Sequence, residues 1–497
     1  MAYSDLRDFI RVLEENGELV RVQAEVDPVL EIAEITDRVT KARGPALLFE
    51  NVRGSEIPVL INTFGSPKRM QLALGTEDIE GIGEHLVSLV KTKPPKSFKE
   101  AVGKLAVVKE VLSFPPKTVR KASCQEVVLE GDDVDLTRLP VLKCWPQDAG
   151  RFITLPQVVT RDPKSGDRNV GLYRMQVYDK KTTGMHWHLH KGGAKHLWEA
   201  AQAGKDVKPL PVAVAFGGDP ATMFAAGCPL PEGLDEYIFA GFLRKKRLPL
   251  VKCKTVPLEV PADAEIVLEG HVIPGELRTE GPFGDHTGYY SLADEYPVFH
   301  CSAVTMRNDP IYPTTIVGVP PQEDAWWGKS IERLFLPLLK FTQPEVVDMN
   351  MPIEGGFHNL MIISIKKRYP GQAKKIMQSI WGTGQMMFTK MIVVVDDWVD
   401  VHDPSMVMWV ASHCYDPARD VVLLDGFPVD DLEHASPLHR VGGKIGIDAT
   451  TKWPEEGHPR PWPDVIAMDD GTREKVKARW QDFGLGAYPE KKSKFWP

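Results

Sequence analysis

Apolar positions change their spacing several times along the chain, and each change marks a new element. Leu6, Phe9, Ile10 and Leu13 recur at helical intervals, with Gly17 following as a stop signal. Two short apolar runs, 46–49 and 59–61, are bounded by turn residues, as strands are. The chain then breaks into many short β-type runs, among them 126–129, 153–155, 170–177 and 265–268, with one helix near 235–243. Such runs, punctuated by Gly, Pro and Asp, predict a barrel or sandwich. Strands and helices alternate again further on: a strand at 360–365, a helix at 371–380 and a strand at 391–395. The last of these is uniformly apolar and β-branched, which suits a strand buried on both faces. A Pro- and Trp-rich tail carries one more helix near 473–480 and reads as an arm.

The expected fold class is therefore α/β multidomain (α+β). The expected divisions are an N-terminal α/β domain at 1–115, a central β domain at 116–320, a C-terminal α/β domain at 321–455 and an arm at 456–497. The run 91–96, rich in Lys and Pro, reads as a surface linker.

Composition narrows the function classes. The 497 residues are 43% hydrophobic and 26% charged, with a net charge of −8, which weighs against a nucleic-acid surface built on overall positive charge. Six cysteines stand far apart and form no CxxC pair, so a zinc knuckle is not indicated and a reducing cytosol fits. No signal pattern opens the chain, and no apolar run approaches the ~20 residues that span a bilayer. A soluble cytoplasmic protein is expected.

Candidate chemistry concentrates at residues 280–290. Gly281, Pro282, Gly284 and Gly288 make a regular helix or central strand improbable, so a shaped loop presents Glu280, Asp285 and His286. Two acids on a stiff loop suit proton transfer if their surroundings separate their pKa values; the plainer reading is a solvated turn. His186, His188 and His190 alternate and would share one face of a strand, as a metal site or as a polar sheet face. Asn169 and Glu236 could add oxygen ligands, favouring Mg²⁺ or Mn²⁺ over zinc. Arg174 sits in a mostly apolar β-type run and needs an anion, internal or from a substrate. Lys390 precedes the buried strand and either binds a phosphate or is exposed. Trp326 and Trp327 line a pocket or fill the core, and Asp396 and Asp397 line a site or cap the next helix. Gly192-Gly193 is a lone glycine pair, a weak phosphate signal.

Several ordered motifs together resemble the UbiD family of decarboxylases. They are Asn169-Val170-Gly171-Leu172-Tyr173-Arg174, His190-Lys191-Gly192-Gly193, Asp235-Glu236-Tyr237-Ile238-Phe239-Ala240-Gly241 and the loop from Glu280 to Tyr290. Asp416-Pro417-Ala418-Arg419-Asp420 and Gly446-Ile447-Asp448-Ala449-Thr450-Thr451-Lys452-Trp453-Pro454 extend the resemblance to about residue 455.

The resemblance implies a central split β-barrel of flavin-reductase type and a homodimer or hexamer. It implies prenylated FMN (prFMN) as cofactor, supplied by a flavin prenyltransferase. A divalent metal, usually Mn²⁺, holds the cofactor phosphate, with K⁺ nearby. Asn169, His190 and Glu236 match the metal ligands, Lys390 matches a lysine on the cofactor phosphate, and Arg174, Glu280 and Asp285 match an acid–arginine–acid network. The implied activity is reversible, non-oxidative decarboxylation of an aromatic or α,β-unsaturated acid. Asp285 is the implied proton donor, its pKa raised by burial and by the neighbouring acid, with Glu280 and Arg174 orienting it. Many members carry glutamate at the Asp285 position. Residues 317–324 and 330–339 look similar to members proposed in menaquinone synthesis, and the other close resemblance is to the ubiquinone branch. The alternatives are a flavin-binding redox module without decarboxylase activity, and a metal hydrolase built on the three histidines.

Overall fold

The computed structural model describes residues 3–91, 105–202, 208–231 and 233–489. Apart from Lys91, the linker expected at 91–96 lies outside the described residues. The chain forms two compact units, Met1–Leu338 and Leu339–Pro497.

In the first unit the opening repeat forms helix α1 (Leu6–Glu15), whose four apolar positions are all buried. The Asp5 carboxylate accepts the Asp8 N–H at 3.0 Å and satisfies one of the free donors at the helix start. Strands β1 (Leu19–Val22), β2 (Ala46–Phe49) and β3 (Val59–Ile61) follow where the apolar runs placed them.

The central sheet has seven strands: β4 (Val127–Glu130), β5 (Gln157–Arg161), β6 (Arg168–Leu172), β7 (Thr182–Gly184), β8 (Leu210–Phe216), β9 (Ile266–Glu280) and β10 (Asp294–Met306). Its antiparallel order is β7-β10-β9-β8-β5-β6, with β4 on β10. These ladders run as an open path from β7 to β6. The long pair β9 and β10 leaves residues 281–293 as its connection, so the acid loop tops the longest hairpin of the sheet. Helices α2 (Gly192–Ala201) and α3 (Glu236–Arg244) both pack against β6. Strand β11 (Tyr312–Thr314) pairs in parallel with β3 and becomes the fourth strand of the N-terminal sheet. Helix α4 (Glu323–Thr342) comes next.

The second unit carries a five-stranded sheet of β12 (Val346–Asn350), β13 (Leu360–Ile365), β14 (Met391–Asp396), β15 (Val421–Pro428) and β16 (Val441–Asp448), in the order β12-β13-β14-β16-β15. Strand β14 lies between two parallel neighbours, which is why its sequence is apolar without alternation. Helix α5 (Gln372–Trp381) follows β13, and α6 (Pro404–His413) follows β14. The tail helix forms at Asp470–Ala478 with no buried residue.

Three expectations need correction. The run 170–177 is not one strand: β6 stops at Leu172, and Met175–Gln176 pairs with Phe152–Ile153 in a separate two-stranded sheet. Arg174 falls in the break, and its side chain reaches Glu280 and Asp285. The three histidines are not on a strand either. Strand β7 ends at Gly184, and residues 185–190 run irregularly into α2, so the shared face does not form. Glu280 is the last residue of β9 rather than a loop residue.

Candidate active site

Arg174 organises the site. Its Nε donates to Glu280 Oε1 at 2.8 Å and its Nη2 to Glu280 Oε2 at 3.0 Å, a bidentate fork. Its Nη1 donates to Asp285 Oδ2, and Nη2 also reaches Ser291 Oγ at 3.2 Å. The guanidinium stacks over the Phe283 ring, 4.9 Å from its centroid. All three charged side chains are buried, Glu280 completely.

The loop is held by polar residues scattered through the chain. Gly281 N–H donates to Gln176 Oε1 at 2.9 Å, and Gly284 N–H to Asp148 Oδ1 at 2.8 Å. Gly284 has no space for a side chain, because a Cβ there would stand 2.2 Å from Trp145 Cδ1. Gly284→Ala is therefore expected to displace Trp145 and cost about 1–3 kcal/mol, read as a lower urea midpoint with an unchanged m value.

Burial pushes the Glu280 carboxyl up, but His186 and Arg174 outweigh it and hold it down at about 2. Asp285 behaves alike: burial opposes ionisation, yet His286 and Arg174 hold its carboxyl well below the ordinary range. This corrects the expectation of a raised Asp285, since His286 and the engaged guanidinium together outweigh burial. Burial lowers His186, so its ring is neutral beside an ionised Glu280. A carboxylate only accepts, so the 3.1 Å contact assigns the proton to His186 Nδ1. His186 Nε2 then accepts from His188 Nε2 at 2.7 Å. Two of the three histidines thus belong to the Glu280 network. Among the described residues, no three His, Cys, Asp or Glu side chains cluster to hold a metal.

Two of the other predicted ligands, Asn169 and Glu236, lie at β6. Asn169 lies on β6, His190 lies two residues before α2, and Glu236 is the first residue of α3. Glu236 Oε2 accepts the Val170 N–H at 2.8 Å, and burial raises its carboxyl to about 7. A Cβ on Gly192 would stand 1.9 Å from Asn169 Oδ1, so the start of α2 lies directly against that amide. His190 is exposed. Lys390 belongs to the second unit, where its Nζ meets Glu433 Oε2 at 3.0 Å.

Trp327 is core, edge-on to Phe64 at 4.8 Å between ring centroids. Asp396 and Asp397 line a cavity of about 310 Å³ in the second unit, together with Lys366, Lys367 and Trp398. None of the residues described above lines it.

Sequence reasoning missed Asp148, Gln176, Ser291 and the true partner of His186, since nothing in their spacing points to the loop. It also passed over Asp324, the second residue of α4. Burial raises the Asp324 carboxyl to about 7, His286 acts against that rise, and Asp285 adds to it.

The chain as a whole is similar to known proteins. Residues 117–320 match the 3-octaprenyl-4-hydroxybenzoate carboxy-lyase Rift-related domain, 325–449 its C-terminal domain and 10–86 its N-terminal domain, the three parts of UbiD. An uncharacterized protein of Archaeoglobus fulgidus is 55% identical over 97% of this chain and 99% of its own length. The closed form of vanillic acid decarboxylase from Sedimentibacter hydroxybenzoicus superposes with a TM-score of 0.85 at 32% identity, covering 98% of this chain and all of that one (100%). An evolved dimeric form of HmfF from Pelotomaculum thermopropionicum, in complex with prFMN, gives a TM-score of 0.75 at 30% identity over 95% and 98% of the two chains. Among the described residues, no helix is long and apolar enough to cross a membrane.

Proposed function

The chain belongs to the UbiD family and is a UbiD-class carboxy-lyase, and from that premise we propose that it decarboxylates an aromatic carboxylic acid with prFMN. The observation that carries the reading is the buried Arg174 forked on Glu280 and joined to Asp285. A carrier of flavin or electrons has no use for that network. The HmfF relative, in complex with prFMN, supports the cofactor, and the vanillic acid enzyme supports the substrate class.

The residues around β6 fit a metal-held phosphate. Glu236 is a buried carboxyl whose burial opposes ionisation, and a divalent ion such as Mn²⁺ would offset that burial. Asn169 and His190 would complete the donor set, a mix of oxygen and nitrogen that Mn²⁺ accepts. Trp187 Nε1–H is buried without an acceptor among the described residues, and a Cβ on Gly193 would stand 2.5 Å from it. This spare donor beside the first turn of α2 fits an anionic group. Bound there, prFMN supplies the electron sink that loss of CO₂ from an sp² carbon requires. The central sheet is read as the split barrel that carries it.

The chain's own residues then have defined work. An aryl carboxylate entering beside Arg174 competes with Asp285 for the guanidinium. It also places a like charge next to Asp285. Both changes raise the proton affinity of Asp285, so the acid that rests ionised becomes loaded when substrate arrives. Asp285 then delivers its proton to the carbon that lost CO₂. Glu280 stays ionised, pinned by two Arg174 N–H groups and by His186, and fixes the guanidinium plane. Binding of an unreactive aryl carboxylate to the loaded protein near pH 7 is accordingly expected to take up about one proton per site, measured with a pH indicator in weak buffer. Proton release on binding would contradict this order of events.

Residues 317–324 and 330–339 support a bicyclic naphthoate of menaquinone synthesis as the first acid to test, with a polyprenyl-hydroxybenzoate of the ubiquinone branch second and α,β-unsaturated acids third. Carboxylation at high CO₂ belongs to the same proposal by microscopic reversibility. The test is protein co-produced with a flavin prenyltransferase and loaded with Mn²⁺. It should bind the modified flavin and release CO₂ from at least one acid of an aryl and acrylic panel. Failure to bind prFMN overturns the reading.

A further inference from the structure

We propose that the cavity of about 310 Å³ in the second unit binds a small aromatic zwitterion, an α-amino acid with an aromatic side chain. None of the residues assigned to decarboxylation lines this cavity, so the two are tested separately. Its position follows from how the chain leaves two neighbouring strands.

Strands β13, β14 and β16 are parallel, so their carboxyl ends share one edge of the sheet. The chain leaves β13 for α5 and leaves β14 for α6. These helices cover opposite faces. A Cβ on Gly446 of β16 would stand 2.5 Å from Met377 Sδ of α5, whereas the next residue, Ile447, packs in one core with Val407 and Val410 of α6. Successive residues of a strand point to opposite faces. The connections from β13 and β14 therefore part in opposite directions and leave a crevice between the two carboxyl ends. Open α/β sheets take their ligands at such a point. The cavity is this crevice: Lys366 and Lys367 directly follow β13, Asp396 ends β14, and Asp397 and Trp398 come next.

Part of the lining is committed to holding the cavity's shape. The Lys367 side chain is buried, and its Nζ donates to Thr451 O at 2.6 Å and Thr450 Oγ1 at 3.2 Å and pairs with Glu456. The same ammonium sits over the Trp453 ring, 4.8 Å from its centroid. Asp396 Oδ2 accepts the Thr451 N–H and the Thr451 hydroxyl, both at 2.7 Å. These contacts tie the segment after β16 to the ends of β14 and β13, so the cavity is formed before any ligand arrives.

The charges left over are of both signs. Ile365 and Asp396 are partners in register, so Lys366 and Asp397 emerge next to each other on neighbouring strands. Both are exposed, and among the described residues neither side chain has an ion-pair or hydrogen-bond partner. Trp398 is 44% exposed. An anion alone would meet Asp396 and Asp397, and a cation alone would meet two lysines. A neutral molecule that carries both charges gives its carboxylate to Lys366 and its ammonium to Asp397. The open Trp398 indole then offers a flat apolar wall to an aromatic ring. The volume lies at the small end of the range for ligand sites, roughly 300–1,000 Å³, so the ligand is small.

The full chain, labelled with 5-fluorotryptophan, tests this by ¹⁹F NMR, with the Trp398 signal assigned by its loss in Trp398→Phe. L-Phenylalanine is the probe and should shift that signal saturably. Phenethylamine lacks the carboxylate and 3-phenylpropanoate lacks the ammonium, so each should need at least ~10-fold more ligand to reach the same midpoint. Lys366→Met and Asp397→Asn should weaken L-phenylalanine by the same factor, and because both side chains are exposed, neither variant should disturb the fold. Only a ligand that moves the Trp398 signal is counted, which leaves out any acid bound elsewhere. No saturable shift below ~10 mM L-phenylalanine, or an unchanged midpoint in the two variants, overturns the site. A midpoint for phenethylamine or 3-phenylpropanoate equal to that of L-phenylalanine overturns the zwitterion.

Discussion

Arg174→Met is expected to abolish detectable turnover and to lower stability at pH 7 by about 3–5 kcal/mol, the range for removing one partner of a buried ion pair. The size follows from what remains. Glu280 is fully buried and Asp285 nearly so, and both share this one guanidinium. Methionine fills much of the volume, so the loss reports charge rather than a cavity. The pH dependence should also change sign. In the parent protein the Glu280 carboxyl lies at about 2, below its unfolded value of about 4.3. Its contribution is therefore complete above the unfolded value and is lost as pH falls toward 2. Without Arg174, two adjacent buried acids retain protons more readily than the unfolded chain does, so stability should rise between pH 7 and pH 5. Urea midpoints at those two pH values give the slope. A variant as stable as the parent, with the parent's slope, would remove Arg174 from the centre of the site.

Asp285→Asn is expected to reduce kcat by about 10²–10⁴-fold, the usual contribution of a positioned general acid, while prFMN and metal binding stay intact. Asparagine keeps the shape and still accepts from Arg174, but it has no acidic proton to give. The comparison separates donor from scaffold: loss of cofactor along with activity would show that Asp285 builds the site rather than acts in it. Flavin absorbance and single-turnover CO₂ release on the same preparation make the distinction.

The sequence made regular elements legible wherever periodicity is set locally. Helix α1 and strands β2, β3 and β14 lie where their patterns put them, because amphipathic spacing or an unbroken apolar run leaves one solution. It failed where long-range charge decides the backbone. The apolar run around Arg174 looked continuous, yet the chain breaks there to bring a guanidinium to residues 106 and 111 positions away. The alternating histidines looked like a strand face, but His186 is directed to Glu280, 94 positions on. The acids of the loop were legible as a pair from Gly and Pro alone. Their ionisation was not, since burial, arginine and histidine act in opposing directions and only geometry fixes which prevails.

The most direct single measurement follows the proton. An accepted aryl acid is turned over in D₂O by the prFMN- and Mn²⁺-loaded enzyme, and deuterium in the product is located by NMR. The expected result is one deuteron at the carbon that carried the carboxylate, appearing with the CO₂ and slowed about 10²–10⁴-fold in Asp285→Asn. CO₂ released at the parent rate by Asp285→Asn would contradict Asp285 as the donor.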